Sequence, residues 1–127
     1  MEGYSVNISF ISKDIPAKDR VKLKDTTNAI SLDDATQENG SLILSPAFYA
    51  VLSVHNEKSE DKDYEKFVVV DHAGNKYVTG SKSFITAFKD IAKDMDELAP
   101  DEEYEIEVYR RESANYKGKT FITCSLV

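Results

Sequence analysis

At 127 residues, with 41% hydrophobic and 31% charged side chains, the chain has the size and composition of one folded domain that can bury a core without disulfides or metals. Five Gly and three Pro argue against disorder over most of its length, a formal net charge of −7 with a pI near 4.8 sets it against polyanions on average, and its one cysteine, Cys124, excludes an internal disulfide. No apolar run approaches the ~20 residues of a membrane span, and Met1-Glu2-Gly3-Tyr4 lacks the basic and apolar regions of a secretory leader, so the expectation is a soluble protein of a reducing cytoplasm.

In chain order, Val6, Ile8 and Phe10 alternate with Asn7 and Ser9, which predicts a short strand, and Val21-Lys22-Leu23 reads as a second. Residues 1–20 stand as an N-terminal extension or extra strand on a single domain spanning 1–127. Residues 33–40, ending in Asn39-Gly40, read as a polar loop closed by a turn. From Ser41 the pattern sharpens. Leu42, Leu44, Phe48, Ala50, Leu52 and Val54 share one parity, that of a long strand with one face in a core. Pro46 inside the run predicts a bulge or an edge. After a charged loop, residues 66–70 and 76–79 form a hairpin across Asp71-His72-Ala73-Gly74-Asn75.

Phe84, Phe88, Ile91, Met95 and Leu98 then recur at spacings of four and three, the apolar stripe of a helix, with Ser81 or Ser83 as its cap and Pro100 as its stop. Two more alternating runs follow, residues 104–109 and 120–127, joined by a polar loop. The expected fold is mainly β: a β-barrel with one α-helix, OB-like, the helix lying between the third and fourth barrel strands. An α+β sandwich with one helix on a sheet produces nearly the same string, and pattern alone does not separate the two.

Little in the sequence suggests catalysis. His55 and His72 are the only histidines, and with one cysteine and no His/Asp/Glu cluster at ligand spacing no metal site is expected. Serine-nucleophile, P-loop and dinucleotide signatures are missing, and no cofactor is implied. The aromatics are more informative: seven Tyr and six Phe, with no Trp. Tyr49, Tyr109 and Phe121 fall on the non-core parity of three strands, and Tyr116 sits among Arg110, Arg111, Lys117 and Lys119. Exposed rings stack bases and cations pair with phosphates, which is what a single-strand binder needs; the same rings would equally suit packing beneath loops. Charge is also uneven. Residues 105–127 hold four Lys or Arg against three acids, whereas residues 57–65 hold five acids against two Lys.

Asp71, Gly74 and Tyr77 form an Asp-x-x-Gly-x-x-Tyr hairpin, Ser81 opens the striped helix, Ser113, Lys117, Gly118 and Phe121 follow as Ser-x-x-x-Lys-Gly-x-x-Phe, and Ser125-Leu126-Val127 stands in the last strand. Taken together, these features resemble the single-stranded DNA-binding proteins of small protein-primed tailed phages of Gram-positive bacteria. The resemblance spans roughly residues 20–127. It implies an OB-like barrel without catalytic activity that coats displaced strands in the host cytoplasm during phage DNA replication. Its implied partners are single-stranded DNA, phage replication proteins and further copies of itself along the DNA. The resulting nucleic-acid-binding set is Tyr49, Tyr77, Tyr109, Arg110, Arg111, Tyr116, Lys117, Lys119 and Phe121. A competing reading is an acidic interaction factor, a DNA mimic or nuclease inhibitor, using Asp94-Asp96-Glu97 and Asp101-Glu102-Glu103. A third, a small hydrolase, lacks a nucleophile–base pair.

Overall fold

Alternating side chains build most of the strands, and the computed structural model describes residues 3–58, 60, 62–112 and 120–127. In chain order the elements are β1 (Tyr4–Ile11), α1 (Ala17–Lys24), β2 (Ile30–Ser31), α2 (Leu32–Asn39), β3 (Ser41–Leu44), β4 (Pro46–Asn56), β5 (Asp63–Asp71), β6 (Lys76–Thr79), α3 (Lys82–Leu98), β7 (Ile106–Glu112) and β8 (Thr120–Leu126). The fold is mainly β. It has three helices among the described residues where the sequence pattern indicated one, and two open sheets: β1-β4-β5-β6-β2 and β3-β7-β8. The chain divides into two compact units, Met1–Ile30 with Ala47–Gly80, and Ser31–Pro46 with Ser81–Val127. No described helix is long and apolar enough to cross a membrane.

In the first unit, Leu23, Ala50, Leu52, Val68 and Val70 form a buried cluster against which Val6, Ile8, Ile11, Ile15, Phe48 and Val78 pack. β1 runs antiparallel to β4, with Val6 opposite Val54 and Ile8 opposite Leu52. The register then slips by one residue, so that Phe10 lies opposite Val51 and Ile11 opposite Ala50. This bulge changes the simple alternation of Val6, Ile8 and Phe10. Ile11 takes the core position, and Phe10 turns to the other face, where its ring meets Tyr49 at 5.7 Å between centroids.

Val21-Lys22-Leu23 is helix α1, not a strand. Pro16 sits at its N-cap, where a fixed φ suits a helix start, and only Leu23 of the helix is buried. Val21 is exposed, so the two apolar residues do not share a face, and the helix leaves almost no periodic signal. The Lys76 ammonium closes the helix end by donating to the Lys22 carbonyl at 2.7 Å and to the Asp25 carbonyl.

In the second unit the segment read as a polar loop is helix α2. Its cap is Ser31, whose Oγ accepts from the Asp34 N–H, and its buried face is Leu32 and Thr36. Asn39-Gly40 is therefore a helix terminus, not the turn closing a loop: Gly40 has φ +78° and returns its N–H to the Thr36 carbonyl at 2.8 Å. The long run from Ser41 divides at Ser45-Pro46. Its first part, β3, pairs with β7 in the second unit, and its second part, β4, pairs with β1 in the first. Leu44, Ala50, Leu52 and Val54 are buried, as the shared parity indicated.

Helix α3 is capped by Ser81, which accepts from the Phe84 N–H, and buries Phe84, Phe88 and Ala92. Ser83 instead donates to the Ile122 carbonyl of β8 at 2.8 Å. Leu98, the last residue of the sequence stripe, is exposed at the helix end. Below the helix, Ile106 and Val108 of β7 and Ile122 and Cys124 of β8 complete a buried layer. Burial holds the Cys124 thiol up at about 12.

Candidate nucleic-acid interface

Because side chains alternate across a strand, the buried layer under α3 dictates what the opposite face of the three-stranded sheet carries. Ile106, Val108, Ile122 and Cys124 point inward, so Glu107, Tyr109 and Arg111 of β7 and Phe121, Thr123 and Ser125 of β8 point outward. The register sets Arg111 opposite Phe121, Tyr109 opposite Thr123 and Glu107 opposite Ser125. On the other side of β7, Tyr109 lies opposite Ser41 and Glu107 opposite Ile43. Tyr109 and Phe121 are thus diagonal neighbours, about 7–8 Å apart by strand geometry. Phe121 is 37% exposed and Ile43 55%, while Tyr109 is half-buried and its hydroxyl meets that of Ser125 at 2.8 Å. The face combines two rings, one aliphatic side chain, the exposed Arg111 guanidinium, the exposed Glu107 carboxylate and small hydroxyl residues.

Arg110 does something different from Arg111. It sits on the inward parity beside Ile122, and its guanidinium is spent within the protein. Nε donates to Thr36 Oγ1 at 3.1 Å, Nη2 to the Asp33 carbonyl at 2.8 Å and Nη1 to Thr120 Oγ1 at 2.8 Å. Thr36 in turn donates to the Leu32 carbonyl at 2.8 Å and is buried. Arg110 is a clasp between α2 and the β7–β8 pair, a role its neighbouring aromatics and cations gave no hint of. The rigid fork of Arg suits it; Lys would not reach all three acceptors.

The remaining expected residues are dispersed. Tyr77 belongs to the β5–β6 hairpin, where its hydroxyl donates to Asp71 Oδ2 at 3.3 Å. Burial, with the Asp71 charge beside it, pushes the Tyr77 hydroxyl above its ordinary value. Burial alone would raise the Asp71 carboxyl, but hydrogen bonds from Asn75, Tyr77 and the Ala73 N–H outweigh it and hold the group below its usual range. This motif braces a tight turn with Gly74 at φ +91°. Tyr49 lies in the first unit, its ring 5.4 Å from the buried Phe67. Tyr116, Lys117 and Lys119 lie outside the described residues. Ile43 went unmarked in the sequence; its parity opposite Leu42 and Leu44 was the available signal.

At the loop end of the β4–β5 hairpin, His55 bridges two acids, with Nδ1 2.6 Å from Asp63 and Nε2 2.7 Å from Glu57. The Asp63 contact, then the Glu57 contact, raises the imidazole above its ordinary value, and the same His55 contact followed by Lys62 lowers Glu57. Among the described residues no three His, Cys, Asp or Glu side chains are grouped to hold a metal ion.

Comparison with protein-family models, with curated proteins and with solved structures finds no match for this chain. The functional reading therefore rests on the residues themselves.

Proposed function

We propose that this protein binds single-stranded DNA with little sequence preference, through the outward face of the β3-β7-β8 sheet. The observation that carries the reading is the exposure of Phe121 beside Arg111 and diagonal to Tyr109, rings and a cation on a sheet face whose opposite side holds the core. A ring offers any base a π-face, for roughly 1–3 kcal/mol per stacked base, and a guanidinium offers a phosphate a charge-assisted pair. Small hydroxyl residues around the rings leave room for a strand to approach. Binding of this kind is sequence-tolerant and weakens with salt, because phosphate neutralisation releases counterions.

The fold reading that accompanies it is OB-like. The run from Ser41 to Asn56 supplies one strand to each sheet, as the long first strand of such a barrel does, and α3 precedes the last hairpin. In that scheme the protein coats displaced strands in replication, like the phage proteins its sequence resembles.

The test is fluorescence anisotropy of labelled oligo-dT at low and moderate salt, with Phe121→Ala and Arg111→Ala beside the parent. Phe121→Ala should weaken binding about 5- to 100-fold, and Arg111→Ala should lower the salt slope by about one unit. A parent protein that ignores oligo-dT at tens of micromolar would sink the proposal.

One observation favours a second reading, an acidic factor for a basic protein partner. Asp94, Asp96, Glu97, Asp101, Glu102 and Glu103 are all exposed, and the last turn of α3 carries no basic residue. Capture of a basic protein together with indifference to oligonucleotides would favour it.

A further inference from the structure

We propose that Phe10 is a base-stacking platform on the outward face of the β1–β4 pair, a second contact for the single strand beyond the β7–β8 face. The inference rests on the single-strand reading and adds a residue and a surface to it.

The bulge at Ser9 is the first support. Without it, strict alternation would keep Phe10 on the core face with Val6 and Ile8. The extra residue gives that place to Ile11 and turns the larger aromatic ring outward, leaving Phe10 49% exposed. Bulges re-aim side chains, and here the side chain sent to solvent is the one best able to stack on a base. The turn is held in place. Ser9 Oγ donates to the Val51 carbonyl at 3.1 Å, Ser12 N–H to the Tyr49 carbonyl at 2.9 Å, and Tyr49 N–H to Ser12 Oγ at 2.9 Å.

The second support is the ring ladder beneath it. Phe10 leans on Tyr49 at 5.7 Å and 37°, and Tyr49 leans on Phe67 at 5.4 Å and 31°. Phe67 is 2% exposed, so the ladder is anchored in buried structure at one end and open at the other. A platform seated this way loses little side-chain freedom when a base settles on it.

Charge supplies the third. In a chain with 23 acids, residues 3–12 carry no charged side chain, and β4 has no Asp, Glu, Lys or Arg. The surrounding outward residues are Ser5, Asn7, Val51 and Ser53. Of the acids near this surface, Glu57 and Asp63 are paired with His55, roughly 13 Å along the strand from Phe10's partner Val51, Asp14 is paired with Arg20 at 3.1 Å, and Glu65 of β5 is exposed. A phosphate backbone meets less repulsion over this stretch than over the acidic end of α3.

The chain has no Trp, so F10W creates a single reporter at the platform. Oligo-dT should quench F10W emission while binding about as tightly as to the parent. F10A should bind about 5- to 100-fold more weakly by anisotropy, and F10L should resemble F10A because it keeps apolar bulk without a ring. Equal oligo-dT affinity for parent and F10A, with F10W emission unmoved, overturns the proposal and leaves the β7–β8 reading standing. A parent that binds no oligo-dT overturns both. An F10A variant that loses a parental self-association at unchanged oligo-dT affinity assigns the ring to a second copy instead, and overturns the proposal too.

Discussion

Strands β5 and β7 are each the middle of a sheet, yet they bury their side chains differently. Residues 67–70 of β5 are Phe-Val-Val-Val, and all four are buried. β7 buries Ile106 and Val108 but leaves Glu107 and Arg111 exposed. A continuous apolar run marks a strand covered on both faces, whereas alternation marks a sheet with one open face. In the first unit Phe10 of β1 is exposed at the β1–β4 side. In the second unit Glu107, Arg111 and Phe121 are exposed on the outward sheet face, beside half-buried Tyr109.

That contrast can be broken most directly with two phenylalanines. Phe67→Ala should cost about 3–5 kcal/mol of stability, whereas Phe121→Ala should stay within about 0.5 kcal/mol. Denaturant unfolding of both variants checks it, and equal losses would mean the β7–β8 face is not open. Next in size is the difference between adjacent arginines. Arg110→Ala should destabilise by about 2 kcal/mol, because it removes the three hydrogen bonds that tie Asp33 and buried Thr36 of α2 to Thr120 of β8. Arg111→Ala should change stability by less than about 0.5 kcal/mol. If the two variants unfold alike, Arg110 is not a clasp.

A smaller effect is expected at the β4–β5 hairpin. His55 is held by carboxylates on both ring nitrogens, so its folded-state value lies above that of the unfolded chain. Its contribution to stability is full below the unfolded value and is lost as pH rises through the raised folded value. An NMR titration of the His55 ring should show that raised midpoint, and Asp63→Asn should bring it back toward the ordinary value near 6.5. An unchanged midpoint in Asp63→Asn would show that Asp63 does not set it. Smallest of all is the reactivity of Cys124, buried on the inward face of β8 with its thiol at about 12. Ellman's reagent should label it only after unfolding.

Local signals were strong wherever one face met a core. The parity of Leu44, Ala50, Leu52 and Val54, the Phe84–Phe88 stripe, the Ser81 cap and the hairpin over residues 71–75 are in the structure where the sequence placed them, and both closing strands are present, the first shifted from residues 104–109 to Ile106–Glu112. Helices α1 and α2 were missed for one reason: each is eight residues long and buries one or two side chains, too few for a period to register.

By itself the sequence determined the chain's charge, its mainly β character and which side chains could alternate outward as rings or cations, because those follow from composition and a two-residue period. Tertiary structure alone decided what each candidate touches. Arg110 and Arg111 are the same residue type one position apart, and the pleat assigns one to α2 and the other to solvent. Phe10 shows the same dependence: the slip at Ser9 is a property of the pairing between β1 and β4, so no count along β1 reveals which face the ring will take.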